Sequence, residues 1–307
     1  MNERFKAKLL LFGEYVILNG GNGFALPIQN YYGELNAGVD TAVPVNKEAL
    51  LDFEKFFQHI YHSPTLKDCF KIDLLEKSIS SMSFSSNIPI GHGIGSSGAL
   101  CASVCFHYLN NQLSRSTVDN AEILFLKDIL SLLESYYHGS SSGIDPLISY
   151  LDRPIYLEKN CTQFNSITLS IASRELLSKV FLVDTKLSRK ASLYVHKYLQ
   201  KIEQGGIDKG TLERMVSLNN NLIVDLIEGN ELQFKKNLYE LSKLQFLHFK
   251  EMIPEQIISL WYQGLENGDF LLKLCGAGGG GFSLGWKFNT SSSESLNKYA
   301  IIEDLQI

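Results

Sequence analysis

The sequence lacks a long apolar segment and a basic cluster. No apolar run in its 307 residues approaches the roughly 18 that a membrane-spanning helix needs. The 28 basic and 33 acidic side chains give a net charge of −5, and no group of lysines and arginines forms a basic patch. We therefore expect neither nucleic acid nor a membrane among its partners. The composition, 45% hydrophobic and 20% charged, is that of a globular protein and excludes a disordered or collagen-like chain.

Cysteine is also scarce, and the five cysteines suggest neither a disulfide framework nor a zinc site. Only Cys101 and Cys105 have a spacing that a metal could use, but they lie in an apolar helical run without histidine or cysteine neighbours. Small core residues are the better interpretation. The apolar run from Leu9 to Phe12 is too short for a signal peptide, so we expect reduced cysteines and a cytoplasmic location.

Hydrophobic patterning predicts strands and helices without a regular βα alternation, which favours an α+β fold. Apolar or alternating runs predict extended segments over 6–18 with a turn at Gly13, over 24–40, within 68–87, and over 151–170, 180–183, 270–274 and 282–286. Helical periodicity predicts helices from Ala99 onward and over 121–137, 188–203, 211–228, 231–248 and 254–266. We place a domain boundary within 151–170, which gives an N-terminal domain of residues 1–160 and a C-terminal domain of residues 161–307.

Glycine is concentrated in three loops, at residues 91–98, 139–143 and 276–281. Glycine lets the backbone approach a ligand closely and adopt a positive φ. The first loop runs into an apolar helix, whose free N–H groups and dipole would favour a phosphate. Ser96 and Ser97 add hydroxyls for phosphate or Mg²⁺. Any one loop could be a plain tight turn, but the three together indicate a phosphate site.

Familiar motifs match parts of these loops but lack the context that each requires. Gly93–Gly98 matches G-x-G-x-x-G, yet no strand ending in an acidic residue follows its helix, which excludes a dinucleotide-binding unit. A Walker loop and the H-R-D and D-F-G strings of protein kinases are absent. Gly139–Gly143 matches the hydrolase elbow G-x-S-x-G, with Ser141 as nucleophile and Asp184 and His248 behind it. That elbow needs a preceding strand, and a helix is predicted there.

Acidic residues flank the second glycine-rich loop, since Glu134 precedes it and Asp145 follows it. A carboxylate beside a phosphate is a natural Mg²⁺ ligand or proton acceptor. The plain alternatives are a turn or helix-cap residue at Asp145 and a solvent-facing helix position at Glu134. Lys8 lies inside an apolar strand, where lysine is seldom buried unless it is paired. The plain alternative for Lys8 is a lysine on an edge strand whose ammonium reaches water.

Three strings, near the start, in the middle and near the end of the chain, occur in the order of a known family. Lys8–Tyr15 reads K-L-L-L-F-G-E-Y, Pro89–Ala99 reads P-I-G-H-G-I-G-S-S-G-A, and Lys273–Gly281 reads K-L-C-G-A-G-G-G-G. In these strings the chain resembles the GHMP kinases, the superfamily of galactokinases, homoserine, mevalonate and phosphomevalonate kinases. The corresponding family motifs are K-x-x-L-x-G-E-H, P-x-x-x-G-L-G-S-S-A and K-x-x-G-A-G-G-G-G. The resemblance covers essentially the whole chain.

Within that superfamily, the segment Glu134–Asp145 is most similar to the mevalonate kinases, which read roughly E-x-x-x-H-G-x-P-S-G-[IV]-D. The spacing of the two acids and the H-G and S-G-I-D pieces agree, and Ser141 stands where proline is common. Phosphomevalonate kinases usually carry a different segment, and homoserine kinases lack a matching aspartate. Galactokinases have arginine where Lys8 stands.

The resemblance implies an ATP-dependent, Mg²⁺-using kinase that phosphorylates the primary hydroxyl of mevalonate, or of a similar small alcohol, in isoprenoid biosynthesis. It implies Asp145 as the catalytic base, Lys8 as its charge partner, and Ser97 and Glu134 as Mg²⁺ ligands. The ATP site would comprise Pro89, Gly91, Gly93, Ile94, Gly95, Ser96, Ser97, Gly98, Gly278, Gly279 and Gly280. The substrate side would comprise Glu14, Tyr15, His138 and Gly143.

The resemblance also implies a two-domain α+β architecture, with an N-terminal domain like ribosomal protein S5 and a ferredoxin-like C-terminal domain. Family members are frequently dimers, so the resemblance allows a homodimer. Three alternatives remain: a GHMP-type kinase for phosphomevalonate, homoserine or a sugar, a non-catalytic nucleotide-binding relative, and the ATP-dependent decarboxylase of the mevalonate pathway. The retained Lys8, Glu134 and Asp145 argue against the non-catalytic relative, and the decarboxylase lacks the string that ends at Asp145.

Overall fold

The computed structural model describes residues 3–36, 47–158, 162–188, 191–289, 296–303 and 305–307. The strands within these ranges are β1 (Arg4–Phe12), β2 (Gly23–Asn36), β3 (Ser83–Ser86), β4 (Ile155–Glu158), β5 (Gln163–Ser166), β6 (Val180–Asp184), β7 (Phe270–Leu274), β8 (Phe282–Lys287) and β9 (Ala300–Ile302). The α-helices there are α1 (Lys47–His62), α2 (Pro64–Cys69), α3 (Ile72–Ser78), α4 (Ser96–Tyr108), α5 (Asn120–His138), α6 (Ile144–Leu151), α7 (Ile171–Leu177), α8 (Ala191–Glu203), α9 (Lys209–Glu228), α10 (Glu231–His248) and α11 (Glu255–Asn267). The irregular mixture of strands and helices confirms the predicted α+β class.

The strands form two sheets. One has the order β1-β2-β4-β5, with β3 pairing with the far end of β2, where Gly33 lies opposite Ser86. The other has the order β7-β8-β6-β9, with antiparallel pairs such as Leu272 opposite Gly285. All of β7 and nearly all of β8 are buried, as expected of strands covered on both faces. Helices α10 and α11 pack against β7.

The contacts divide the chain into two compact units. The first unit comprises Met1–Lys8, Pro27–Pro89 and Ile94–Arg153, and the second comprises Leu9–Leu26, Ile90–Gly93 and Pro154–Ile307. Strands β1 and β2 and the glycine-rich segment 91–98 therefore contribute residues to both units. The break after Arg153 falls within 151–170, and the division into residues 1–160 and 161–307 stays a prediction.

The predicted helices from Ala99 and over 121–137, 188–203, 211–228, 231–248 and 254–266 are confirmed as α4, α5, α8, α9, α10 and α11. The extended interpretation within 68–87 is wrong for most of that range, which contains the end of α2 and the whole of α3. Leu75 and Ile79 are buried and Leu74 is half exposed, which is the spacing of a helix with one buried face. A short alternating run does not distinguish this pattern from that of a strand. The strand predicted beyond Gly13 is instead a single 3-10 turn, Val16–Asn19.

Helix α4 shows why the two closely spaced cysteines belong to the core. Cys101 and Cys105 are fully buried, and burial raises the pKa of both thiols. Across the part of the chain that the structure describes, no group of three or more His, Cys, Asp or Glu side chains could hold a metal ion. None of the helices found there combines the length and the apolar character needed to cross a bilayer. Cys161 lies outside the described residues.

Candidate functional site

Two helices of the first unit, α4 and α6, each begin at a glycine with a positive φ. Gly95 precedes α4 with φ 83°, and Gly143 precedes α6 with φ 73°. No side chain among the described residues caps the first turn of α4. The first N–H groups of this helix, from Ser96 to Gly98, have no carbonyl within the helix to bind and carry the positive end of its dipole. The head of α4 is therefore suited to a phosphate.

Asp145 lies in the first turn of α6 and forms an ion pair with Lys8 of β1. The Lys8 Nζ lies 2.8 Å from Asp145 Oδ1, and the Lys8 side chain is 8% exposed while that of Asp145 is 33% exposed. The backbone N–H of Lys8 donates to the carbonyl of Ile94 at 3.0 Å, which joins β1 to the segment that leads into α4. Lys8 thus lies on the edge strand of its sheet, but its ammonium is buried and paired with Asp145 instead of reaching water. The carboxylate it faces remains accessible to a small molecule.

Glycines allow close packing around the ion pair of Lys8 and Asp145. A Cβ atom on Gly95 would lie 3.1 Å from Lys8 Cγ, and one on Gly98 would lie 2.9 Å from the backbone nitrogen of Pro146. Gly98 stands where the family usually has alanine, and here that alanine would meet the backbone of α6. A Cβ on Gly143 would lie 2.2 Å from the carbonyl oxygen of Lys127 on α5. The packing around Asp145 therefore leaves no room for a side chain at Gly98 or Gly143 and little room at Gly95.

Glu134 of α5 is buried, with 4% of the residue exposed, so the solvent-facing interpretation is wrong. Its Oε1 accepts a hydrogen bond from Ser97 Oγ at 2.9 Å, and its Oε2 accepts one from Ser141 Oγ at 2.5 Å. Burial, and next the charge of Asp145, raise the pKa of Glu134 to about 7, whereas the bonds from Ser141 and Ser97 act in the opposite direction. A cation here would favour the ionised carboxylate.

The pair formed by Ser97 and Glu134 fits the requirements of Mg²⁺. This ion prefers oxygen ligands and is usually held by one or two carboxylates together with substrate phosphates. The Ser97 hydroxyl and the Glu134 carboxylate supply two adjacent oxygen donors beside the head of α4. His138 Nε2 lies 3.0 Å from Ser97 Oγ, so this residue, predicted on the substrate side, contacts the proposed metal ligand.

Glu14, predicted on the substrate side, lies in the second unit and forms a buried ion pair with Lys273. The Lys273 Nζ lies 2.6 Å from Glu14 Oε1, and the two side chains are 0% and 2% exposed. The same ammonium donates to the carbonyl of Leu274 at 2.7 Å. Burial raises the pKa of Glu14, and the Lys273 ammonium opposes that change. This pair therefore links the first residue of the C-terminal motif to the G-E piece of the N-terminal motif.

Tyr15 is held against aromatic side chains of the second unit. Its ring stacks on Tyr198 with centroids 4.4 Å apart and also contacts Phe249. Its hydroxyl donates to the carbonyl of Ala277 at 2.5 Å. Its φ of 60° is uncommon for a residue other than glycine. Tyr15 therefore supports the loop 276–281.

The loop 276–281 is bound to its surroundings at both ends and in the middle. The N–H of Gly279 donates to the carbonyl of Met252 at 2.5 Å, and the N–H of Gly281 donates to the carbonyl of Leu187 at 2.6 Å. Every glycine from 278 to 281 has a positive φ. A Cβ on Gly279 would lie 1.9 Å from the ring of Tyr194, so no larger residue fits there. These hydrogen bonds and close contacts fix the conformation of the loop.

The predicted ATP-loop residues are divided between the units. The first unit contains the predicted site residues Lys8, Pro89, Ile94, Gly95, Ser96, Ser97, Gly98, Glu134, His138, Gly143 and Asp145. The second unit contains the predicted site residues Glu14, Tyr15, Gly91, Gly93, Gly278, Gly279 and Gly280. Ile94 is fully buried, and Gly93 is exposed. In the second unit His92 lies between Asp184, with Nε2–Oδ1 of 3.3 Å, and the ring of Phe282. The sequence analysis did not single out His92.

The hydrolase interpretation of Ser141 is wrong. Helix α5 precedes the loop where a strand was required, and the Ser141 hydroxyl is directed to Glu134 rather than to a histidine. Sequence reasoning did not predict this contact with Glu134. The only available signal was that Ser141 replaces the proline that is common in the family.

Comparisons with known proteins identify a matching family model and similar folds. Residues 59–153 match the family model described as the GHMP kinases N terminal domain. The solved structure of Methanococcus jannaschii mevalonate kinase is similar with a TM-score of 0.65 and 17% identity, and the match covers 98% of this chain and 96% of that one. The solved structure of L. major mevalonate kinase in complex with R-mevalonate is similar with a TM-score of 0.64 and 16% identity, and the match covers 99% of this chain and 96% of that one.

Streptococcus pneumoniae phosphomevalonate kinase is also similar, with a TM-score of 0.60, 16% identity and 98% coverage of both chains. A search of curated proteins found no match to the sequence. The resemblance to the GHMP kinases and their two-domain α+β architecture are confirmed. At these identities the similarity shows the fold and leaves the acceptor substrate to be inferred from the site.

Proposed function

We propose that this chain is an ATP-dependent small-molecule kinase that phosphorylates the primary hydroxyl of mevalonate. The observation that carries the proposal is the ion pair between Lys8 and Asp145, with Nζ–Oδ1 of 2.8 Å, beside the uncapped head of α4. It combines a partly exposed carboxylate, a buried ammonium and a phosphate-binding helix terminus in one unit. The neighbouring pair of Ser97 and Glu134 supplies the oxygen ligands for a cation.

Asp145 is the proton acceptor in this proposal. Its carboxylate takes the proton of the acceptor hydroxyl, so that the oxygen can attack the terminal phosphorus of ATP while the bond from that phosphorus to the bridging oxygen breaks and ADP leaves. Lys8 balances the charge of the carboxylate and of the developing alkoxide. A general base of this kind contributes about 10²–10⁴-fold to a rate.

Positioning of the phosphates carries the rest of the rate acceleration, because phosphoryl transfer needs little covalent help from the protein. The N–H groups from Ser96 to Gly98 and the dipole of α4 would bind phosphate oxygens. Mg²⁺, held by Ser97 and Glu134, would neutralise charge on those phosphates. Pro89, Ile94, His138 and Gly143 lie in the same unit and are part of the proposed site. The predicted roles of Gly91, Gly93, Tyr15 and Gly278–Gly280, which lie in the second unit, stay predictions.

Mevalonate is the proposed acceptor because the segment Glu134–Asp145 resembles that of the mevalonate kinases more than those of other superfamily members. Both mevalonate kinases named above are similar structures, and one of them is a complex with R-mevalonate. Phosphomevalonate is a competing acceptor, because a phosphomevalonate kinase is also among the similar structures. A cytoplasmic location and a homodimer are part of the same proposal.

A coupled ADP-release assay with Mg-ATP tests the proposal against mevalonate, phosphomevalonate, homoserine, galactose and no acceptor. We expect ADP release that depends on mevalonate and is lost in Asp145→Asn. Release with another alcohol would retain the kinase and replace the substrate. No release with any acceptor, despite ATP binding, would contradict the proposal.

A further inference from the structure

Ser141 binds the carboxylate proposed to hold Mg²⁺ from the side opposite Ser97. Its hydroxyl donates to Glu134 Oε2 at 2.5 Å, while Ser97 donates to Glu134 Oε1 at 2.9 Å. Each carboxylate oxygen thus has its own hydroxyl donor, and the plane of the carboxylate is defined by two residues. Of these two serines, Ser97 is itself a proposed ligand, so Ser141 is the one that serves purely to orient Glu134.

Ser141 is itself held in place by three contacts. Its hydroxyl has a single proton, which it gives to Glu134, and it accepts a hydrogen bond from the N–H of Gly143 at 3.0 Å. Its carbonyl accepts a hydrogen bond from Ser131 Oγ on α5 at 2.6 Å. Gly143 has no room for a Cβ, which would lie 2.2 Å from the Lys127 carbonyl. The loop 139–143 is therefore fastened to the helix that carries Glu134.

We propose that Ser141 is a positioning residue for the Mg²⁺ site, an inference that rests on the proposed function. Its hydroxyl holds the Glu134 carboxylate in the orientation that a cation shared with the ATP phosphates requires. Hydrogen-bond partners of metal ligands typically change metal affinity by about 10–100-fold when they are removed. Removing the Ser141 hydroxyl therefore weakens Mg²⁺ binding without removing a ligand.

The test measures binding rather than turnover. A non-hydrolysable ATP analogue is titrated into the full chain by calorimetry at a series of free Mg²⁺ concentrations, without an acceptor alcohol. For Ser141→Ala we expect the Mg²⁺ concentration that gives half-maximal analogue binding to rise by about tenfold or more. Ser141→Thr keeps the hydroxyl and should return that concentration to near the wild-type value.

Ser135→Ala is the matched control, because Ser135 follows Glu134 on α5 but its hydroxyl donates to the carbonyl of Leu132 and not to Glu134. We expect no change for this variant. If Ser141→Ala does not fold, Ser141→Cys replaces the hydroxyl with a slightly larger group that is a weaker donor, and it should shift the Mg²⁺ dependence in the same direction.

The outcomes separate this inference from the function on which it rests. An unshifted Mg²⁺ dependence in Ser141→Ala, or in Ser141→Cys if it is used, overturns the role of Ser141 and leaves the kinase standing. An equal shift in Ser135→Ala also overturns it, because any change in α5 would then have the same effect. If the wild-type chain shows no Mg²⁺-dependent binding of the analogue, the proposed function itself fails.

Discussion

Two lysine–carboxylate pairs in this molecule have similar geometry and different surroundings. The distance from Lys8 Nζ to Asp145 Oδ1 is 2.8 Å, and that from Lys273 Nζ to Glu14 Oε1 is 2.6 Å. The Asp145 side chain is 33% exposed, whereas that of Glu14 is 2% exposed. An accessible carboxylate can exchange a proton with a substrate, and a sealed one cannot. The pair of Lys8 and Asp145 is therefore suited to catalysis, and the pair of Lys273 and Glu14 is suited to stabilising the fold.

The comparison also separates two residues that belong to one sequence motif. Lys8 and Glu14 both come from the N-terminal string, yet each pairs with a residue from a different string far along the chain. Glu14 pairs with the lysine that opens the K-L-C-G-A-G-G-G-G string and so supports the loop that follows. A motif can thus combine one residue that acts on a substrate with another that acts on the fold.

The largest effect is expected for the accessible pair. Asp145→Asn removes the proposed base, so we expect kcat to fall by about 10²–10⁴-fold while ATP binding, measured by calorimetry, changes little. Asp128→Asn is the matched control, because its side chain is 72% exposed in an ion pair with Lys127. Near-normal turnover in Asp145→Asn would contradict the distinction between the pairs.

Breaking the sealed pair should reduce stability. Lys273→Met leaves the Glu14 carboxylate buried without its counter-charge, and we expect the free energy of unfolding from urea denaturation to fall by about 3–5 kcal/mol. The double variant Glu14→Met with Lys273→Met removes both charges and should recover most of that loss. An unchanged urea midpoint in Lys273→Met would show that this pair contributes little.

A smaller effect is expected where the backbone meets the accessible pair. Gly95→Ala places a methyl group 3.1 Å from Lys8 Cγ at a φ of 83°. Gly139→Ala has a similar φ of 74° and nothing within 4 Å of the new Cβ, so it controls for backbone strain alone. We expect both variants to lose about 1–2 kcal/mol of stability from the left-handed conformation. Only Gly95→Ala should also lower kcat, because its new methyl group contacts Lys8. An equal fall in kcat in Gly139→Ala would show that backbone strain alone causes the change.

The smallest effect is expected at Tyr15. Tyr15→Phe removes the hydrogen bond to the Ala277 carbonyl and keeps the ring stacked on Tyr198, so we expect a loss of about 1 kcal/mol in urea denaturation. Tyr262→Phe changes an exposed tyrosine on α11 and should have less effect. A loss in Tyr15→Phe no larger than in Tyr262→Phe would show that the hydroxyl does not support the loop.

Long periodic helices were the most predictable part of the fold, because their apolar faces repeat over several turns. Helix α10 has the predicted bounds, 231–248, whereas α1, α6 and α7 were not predicted. The five-residue alternation from Phe70 to Leu74 was too short to distinguish a strand from the start of α3.

The candidate site was predictable where a motif names a residue and not where a contact depends on the fold. The sequence led to Lys8, Glu134, Ser97 and Asp145 as candidates, and the structure brings them together in one unit. It could not show that Glu14 pairs with Lys273, because the two lie far apart along the chain.

Identification of the reaction product tests the central proposal most directly. After incubation of the wild-type chain with Mg-ATP and mevalonate, we predict a phosphomonoester on the primary carbon of mevalonate, detected by phosphorus and carbon nuclear magnetic resonance. The same mixture with Asp145→Asn should contain almost none. Release of CO₂, or consumption of ATP to free phosphate without a phosphomonoester, would contradict the assignment of Asp145 and Lys8 to phosphoryl transfer.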